Sequence, residues 1–566
     1  MCKHHRLLLL LITLLVPLLI SACGYRNTDT HSDTISPSFS QEPSRIVLLP
    51  LDSRPACTDL PERMARTGNI ELILPPDDIL DHYHRPADRN ALRHWLTEQA
   101  AYTDTMILSV DMLLHGSLLH SRKNELTDED VTSMLDFLRM LRREHPQMRL
   151  YVFHTIPRLL IADDEETEEY QSDMLTYSTL QEEVLLFGQI NQLEDLCELE
   201  EDIPQEIRDR YHRLYDRNLH TNVALLSLVE DGTIDHLVIG QDDGHIFGLP
   251  NLVKHQLDRL IRHIPHSSDR IEIVRGADEL AMLLVSRIAR EHCDPLSIYV
   301  AYADEDMAGM VMPFMSQSVN TTVAEKLTSV NAQRVHSIAE ADLILYLHIG
   351  SDASDTAQFC GAADELRRYD AMDKPIALVD LSQHFRASET LLPTLVSQDF
   401  PLHRLVAYAG WNTASNAIGT AVAQASLYVS EMKHTQSSED RLAIGYANLI
   451  FLNDRFLDDY YYMKLIQPYL KLRLSALTSD PYCLSSKSLG EANTWLMTAM
   501  QNRADQLASS EAYQMPFTLP LSDSNDLLTV SQLTVESALP WERTFEAKII
   551  SKILLKKLKK GVDTSQ

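Results

Sequence analysis

Short apolar runs, each closed by a polar or glycine-containing turn, recur along this chain from Arg45 onward. The first group comprises Ile46–Leu51, Ile70–Leu74, Met106–Val110, Leu150–Thr155, His236–Ile239 and Ile271–Val274. Runs of this length read as buried strands rather than helices. Between several of them lie segments with apolar residues at helical spacing, such as Asn90–Gln99 and Val131–Arg143. Strand and helix in alternation predict an α/β fold, with a parallel-sheet or (β/α)-barrel-like N-terminal domain over 45–292. A second group, Ser297–Ala301, Ala341–Leu347, Ile376–Val379 and Leu405–Tyr408, predicts a second, smaller α/β layer domain over 293–435. From Ser438 the pattern turns helical, so 436–550 is expected to be mainly helical, followed by a basic tail over 551–566. Near the end, Leu527–Val535 and Thr544–Leu554 suit either strands or a terminal helix. An acidic, helical insertion over 163–219 reads as a solvated helix pair to which no function is attached.

The N-terminus has a different pattern. Lys3 and Arg6 precede an almost unbroken apolar run, Leu7 to Ile20, of signal-peptide rather than membrane-span length. It ends Leu19-Ile20-Ser21-Ala22-Cys23, which resembles the lipobox of bacterial lipoproteins. The expectation is a lipoprotein signal peptide over 1–23, lipidation at Cys23 and a flexible tether over 24–44, with an ordinary signal peptide or a single anchor helix as alternatives. The protein would then be extracytoplasmic and lipid-anchored to the cell membrane.

Composition narrows the rest. A chain of 566 residues is too long for one ordinary core. Its 45% hydrophobic and 23% charged content is that of a globular protein. A net charge of −31 argues against nucleic acid as a partner and suits a neutral or cationic ligand. Of seven cysteines, Cys2 would leave with the signal and Cys23 would carry lipid. The remaining five are scattered and form no Cys-x-x-Cys pair, which argues against a disulfide framework or structural zinc. Phosphate-loop, dinucleotide-binding, nucleophile-elbow and His-Glu-x-x-His patterns are all absent, so no cofactor and no metal is expected.

Candidate chemistry collects where the apolar runs end. The fifth run leads into Gly240-Gln241-Asp242-Asp243-Gly244-His245, two adjacent carboxylates between glycines. The first run ends in Asp52-Ser53-Arg54, the third in Asp111, the fourth near His154 and Arg158, and the sixth in Gly276-Ala277-Asp278-Glu279. Open α/β sheets and (β/α) barrels place their chemistry at the carboxyl ends of strands, which a parallel sheet gathers on one edge. Close carboxylates repel unless paired, metal-bound or partly protonated, and partial protonation supplies a general acid. Each has a plainer alternative, such as a local Asp52–Arg54 ion pair or a helix cap at Asp278. In the second domain, Gly410-Trp411-Asn412 opens a helix rich in small residues. An exposed Trp411 beside Asn412 would suit a sugar ring, whereas a Trp packed under the turn would be structural.

Taken together, these stretches resemble the bacterial family known as domain of unknown function 4127. The resemblance rests on Pro50 to Pro55, Ser109 to Leu113 with Ser121-Arg122, Asp242-Asp243 with Gly248, Gly276 to Glu279, Tyr408 to Gly419, Arg455 to Tyr460 and Leu539 to Glu546. It implies domain extent and motif residues, not a reaction. The family's first motif usually reads Leu-Asp-Asp-Arg-Pro, whereas this chain has Ser53 in place of the second Asp. The Asp-Asp pair is also similar to that of retaining N-acetylhexosaminidases, where one carboxylate orients the acetamido group and its neighbour protonates the leaving oxygen.

The expected function is therefore that of a carbohydrate-active hydrolase, with a carbohydrate or other small polar ligand. Asp242 and Asp243 form the catalytic pair, with Asp278 and Glu279 as an alternative acid source. Asp52, Arg54, Asp111, Arg158, Trp411 and Asn412 are the substrate-binding candidates. Two rivals stay open. One is a substrate-binding lipoprotein of a transport system. The other is a metal-dependent hydrolase using the carboxylates with His154 or His245.

Overall fold

The structure, a computed structural model, describes residues 34–123, 126–160, 167–478, 480–522 and 526–558. The expected signal peptide and Cys23 lie outside the described residues.

Six strands form the first sheet: β1 (Ser44–Leu49), β2 (Ile70–Ile73), β3 (Thr105–Ser109), β4 (Arg149–Ile156), β5 (His236–Gln241) and β6 (Ile271–Arg275). All neighbours are parallel, in the order β2-β1-β3-β4-β5-β6. The chain steps from β1 to one side and then crosses to β3, so the order reverses between β1 and β3. Edge strands β2 and β6 do not pair, and the sheet is an open one. The barrel-like alternative is thereby corrected: strand–helix alternation is common to both architectures, and the crossover after β2 decides between them.

The second sheet repeats this plan with β7 (Leu296–Tyr302), β8 (Ala332–Val335), β9 (Leu343–Gly350), β10 (Ile376–Ser382) and β11 (Leu405–Ala409). Its order is β11-β10-β9-β7-β8, again wholly parallel.

Between the sheets lie helices α1 (Leu280–Ala289), α2 (Val319–Ser329) and α3 (Ala414–His434). Ile46, Leu48, Phe153 and Val238 of the first sheet and Leu343, Leu345, Ala377 and Val379 of the second share one core with these helices. Alternate residues of the same strands face outward into two further cores. Val47, Leu49, Leu108 and Val152 meet the outer helices, including those of the insertion, at Gln171–Leu185, Leu193–Asp202 and Gln205–Glu230. Ile344, Tyr346 and Leu378 meet the C-terminal helices. Covering both faces explains why the strands read as unbroken apolar runs. It also explains α3, buried nearly all round, whose Ala417, Gly419, Ala421 and Ala423 let two sheets approach it.

The C-terminal part is helical through Ala508 and ends in an antiparallel hairpin, β12 (Leu528–Ala538) with β13 (Lys548–Lys557). Residues 551–557, expected to begin a basic tail, are strand: Ile549, Ile553 and Leu555 point inward while Lys548 and Lys552 point out. Thr34–Ile35, expected within the tether, pairs with Leu555 and Lys556 as a third strand.

Candidate active site at the carboxyl ends of the first sheet

Two knots of charge form where the strands of the first sheet end. The first is centred on Arg54, two residues past the buried Asp52. Its Nε donates to both Asp52 oxygens at 3.0 and 2.9 Å. Its Nη2 reaches Asp52 Oδ2 at 2.7 Å and Asp278 Oδ1 at 2.6 Å. Asn412 and Asn416, from the turn that opens α3, donate to Asp278 Oδ2 at 3.4 and 3.3 Å. Burial works against the charge on Arg54, but Asp278 and Asp52 outweigh it and hold the guanidinium well above its ordinary range. Asp278 is pushed up to about 6 by burial, opposed by Arg54 and supported by Asp52 and Asp242.

The second knot lies just beyond β5. The Asp242 N–H still bonds the Ile156 carbonyl at 3.1 Å, and its carboxylate accepts from Arg122 Nη2 at 2.8 Å and from the Asp243 N–H at 2.9 Å. Both residues lie past the end of β5, where the opposite-facing geometry of strand neighbours no longer constrains them. Burial pushes Asp242 up, but Arg122, the Asp243 N–H and Arg158 outweigh it, so the group sits below its ordinary range and is ionised. Asp243 behaves in the opposite way. Its carboxyl is partly exposed and makes no hydrogen bond among the described residues. Burial and the adjacent negative Asp242 push it up to about 7, with Arg122 and Arg158 opposing. Two neighbouring carboxyl groups are thus driven to different protonation states by their surroundings.

Sequence-chosen residues divide at this point. Asp52, Arg54, Asp278 and Asn412 meet in one knot, and Asp242, Asp243 and Arg158 belong to the other, with Asp242 acting electrostatically on Asp278 and Asp278 in turn on Asp243. Asp111 is wholly buried and gives both oxygens to Thr155, at 3.0 Å from its N–H and 2.7 Å from its hydroxyl, so it ties β3 to β4. Glu279 is also wholly buried, turned away from Asp278 to pair with Lys326 Nζ and accept from Ser415 Oγ at 3.3 Å. Two glycines leave the room that this orientation needs. Gly276 stands at φ +101°, where a Cβ would come within 2.0 Å of Glu279 Oε1, and a Cβ on Gly419 would meet its Cγ at 2.4 Å. As a buried ion pair Glu279 is removed from the acid candidates.

Trp411 requires a correction. It is 7% exposed, packed in the core between the sheets, and its Nε1–H donates to Thr420 Oγ1 at 3.1 Å. Of the two alternatives posed by the sequence, the packed indole is the one observed, and no sugar platform is presented there.

A family model described as "Protein of unknown function (DUF4127)" matches residues 46–550. The chain belongs to that family. The matched span takes in both parallel sheets, the three helices between them and β12. No curated protein matches.

Several residues that shape the site came from outside the strand ends. Arg122, after β3, holds Asp242 ionised, and its place in the Ser121-Arg122 motif was the available signal. The insertion is more than a solvated pair. Glu182, 1% exposed, accepts from Gly248 N–H at 2.6 Å and Asn251 Nδ2 at 3.0 Å, pinning the loop that follows Asp243. Tyr215 donates to the Arg158 carbonyl at 2.7 Å, and Asn218 to the Thr155 carbonyl at 2.7 Å. His154 is bonded to Asn222 Oδ1 at 3.0 Å. Among the described residues, three metal-ligating groups with ligand atoms within 4.8 Å of one another occur only at Asp352, His384 and Glu389, beside the second sheet. There Asp352 already pairs with Arg386 at 2.5 Å and His384 Nδ1 with Glu389 at 2.7 Å.

Proposed function

We propose that this protein is a hydrolase of carbohydrates working by general acid catalysis, with Asp243 as the acid and Asp242 as its fixed anionic neighbour. The observation that carries the reading is the split within the pair. Asp242 is held ionised by Arg122, while Asp243, only partly exposed and pushed up to about 7 by burial and by Asp242, retains a proton near neutral pH. A proton donor with a pKa near the working pH is the most effective general acid. In glycoside hydrolysis the acid protonates the departing oxygen and a second carboxylate acts at the reacting centre. Asp242 takes the second role as a fixed negative charge, its oxygens held by Arg122 and the Asp243 N–H, next to the reacting centre. Asp278 is buried and held by Arg54 and the two asparagines, and the partly exposed amide of Asn412 is the group beside it that bonds a substrate hydroxyl. The position supports this reading too, since ligands of open α/β sheets bind beyond the carboxyl ends of the strands.

The N-terminal apolar run and Ile20-Ser21-Ala22-Cys23 support a lipoprotein of the extracytoplasmic membrane surface. Among the described residues no helix is long and apolar enough to cross a membrane. A panel of plain and N-acetylated aryl glycosides tests the activity. Turnover lost on Asp243→Asn is expected. Saturable sugar binding without product, unaffected by that substitution, selects a binding protein instead, and turnover abolished by a chelator selects a metal-dependent hydrolase.

A further inference from the structure

Behind the Asp52–Arg54 knot lies a cavity of about 630 Å³, walled by the turn before α1's neighbour helix Asp59–Ala65, the loop Pro75–Arg85 and the segment at Pro540–Trp541. Acidic groups dominate it. Asp59 is matched by Lys548 at 2.8 Å and Glu62 by Arg66 at 2.6 Å. Asp77 and Asp78 are exposed on its rim and have no partner among the described residues, with Arg85 the nearby cation on the lining. Asp81 also lines the cavity and is 2% exposed. Its Oδ1 accepts the Ser53 N–H at 2.8 Å, while Oδ2 is buried with no hydrogen-bond partner. An unpartnered buried carboxyl oxygen is unfavourable unless a donor or cation is brought to it. Burial and the nearby Asp52 push Asp81 up to about 8, and a cation placed beside it restores the ionised form.

We propose that this cavity binds the ammonium group of an organic amine, with Asp77, Asp78 and Asp81 as its counter-charges. The spread of the acids decides against a bare divalent ion, because no three of them bring ligand atoms within 4.8 Å of one another. Charges distributed around a cavity of this size, with Pro540 and Trp541 as an apolar wall, match a cation that carries a carbon skeleton. Its occupancy communicates with the strand-end knot through Ser53. The same residue that donates from its N–H to Asp81 Oδ1 donates from its hydroxyl to the Asp81 carbonyl at 2.7 Å, and stands between Asp52 and Arg54 in sequence. The ammonium group could come from an amino sugar or from an alkyl diamine, and calorimetry on the full chain at physiological ionic strength separates them.

The probes are glucosamine, 1,4-diaminobutane, the neutral N-acetylglucosamine and magnesium chloride. Saturable single-site binding of at least one amine is expected, weakened about tenfold or more in the double variant Asp77→Asn/Asp78→Asn. These rim residues are exposed, so the variant tests charge without threatening the fold. Asp81→Asn should weaken the amine by a similar factor. Tighter glucosamine identifies an amino sugar and tighter diaminobutane an alkyl amine. Binding of neither amine, equal binding of N-acetylglucosamine, binding of magnesium alone, or amine affinity unmoved by the double variant each overturns the proposal. All of these readouts are of binding, so they stand or fall apart from glycoside turnover.

Discussion

The two parallel sheets of this protein share one topology, and both end in carboxylates, yet their strand ends do different work. At the second sheet, Asp380 of β10 is wholly buried and fully engaged. It accepts the Leu391 N–H at 2.8 and 3.0 Å, the Leu392 N–H at 3.0 Å, Tyr408 OH at 3.1 Å and His348 Nδ1 at 2.9 Å. Asp459 has its own raised value, about 7, set by burial against Arg455, but its oxygens take the Gly410 N–H at 2.8 Å and Arg455 at 2.6 Å. Asp243 reaches a similar value with a partly exposed carboxyl that makes no hydrogen bond among the described residues. A carboxylate at a strand end, or even a raised pKa, is therefore not sufficient for chemistry. What distinguishes the first sheet is an acid of raised pKa whose carboxyl makes no hydrogen bond among the described residues.

The sharpest test of that contrast is Asp243→Asn, which removes the proton donor and nothing structural. Turnover of an aryl glycoside should fall by roughly 10²- to 10⁴-fold. Stability should not fall with it. A carboxyl raised to about 7 from its ordinary range binds its proton more tightly folded than unfolded, so its contribution is favourable at low pH and is lost as pH rises through about 7. The asparagine variant should accordingly match the parent near pH 4 and become the more stable of the two as pH rises through about 7. A variant that is less stable at pH 8 would place Asp243 among the structural acids.

Asp380→Ala is the converse experiment. It strips the acceptor from two buried N–H groups, a tyrosine and a histidine, at about 3 kcal/mol or more. Denaturant unfolding should show that loss, while kcat per folded molecule stays within about twofold of the parent. Comparable damage to kcat would mean that both sheets build one reaction site.

Asp242→Asn refines the first sheet's own logic. Removing the negative neighbour takes away a push that raises Asp243, so the alkaline limb of the pH–rate profile should move down from about 7 by about one unit. A limb that stays in place assigns the titration to another group, with Asp278, raised to about 6, as the first alternative.

Much of this arrangement is legible in sequence because it is local. The strand runs, the glycine-flanked Asp242-Asp243 pair and the acids following β1 and β6 all announce themselves by pattern. Long-range partnerships do not. Arg54 meets Asp278 across 224 residues, and Glu182 reaches Gly248 from an insertion whose acidic surface reads as solvent-facing. Asp278 and Glu279 are neighbours of like charge, yet one pairs with Arg54 and the other, in room left by Gly276 and Gly419, with Lys326. Asp81 sits in a loop after β2 with no motif around it, and the Ser53 hydrogen bonds that give it importance are made in three dimensions.

Trp411 carries the smallest expected effect and the clearest separation of structure from binding. An indole beside Gly410 and Asn412 invites a sugar, yet here it is packed between the sheets with Nε1–H bonded to Thr420 Oγ1 within α3. Trp411→Phe keeps most of the apolar surface and removes that one hydrogen bond, along with part of the ring volume. The bond is worth about 1 kcal/mol and the smaller ring costs a comparable amount through imperfect packing. Unfolding should therefore register a loss of about 1–2 kcal/mol. KM for a glycoside should change by less than about twofold, because the ring has no exposed face to stack on a sugar. Asn412→Ala supplies the matched comparison one residue away. It deletes a donor to Asp278 at the rim of the knot, leaving that carboxylate with Asn416 and Arg54. Its effect should appear in KM more than in stability, which is the opposite split from Trp411→Phe. A KM increase of about tenfold in Trp411→Phe with unchanged stability would return the indole to the binding surface and leave the core packing around α3 in need of another explanation.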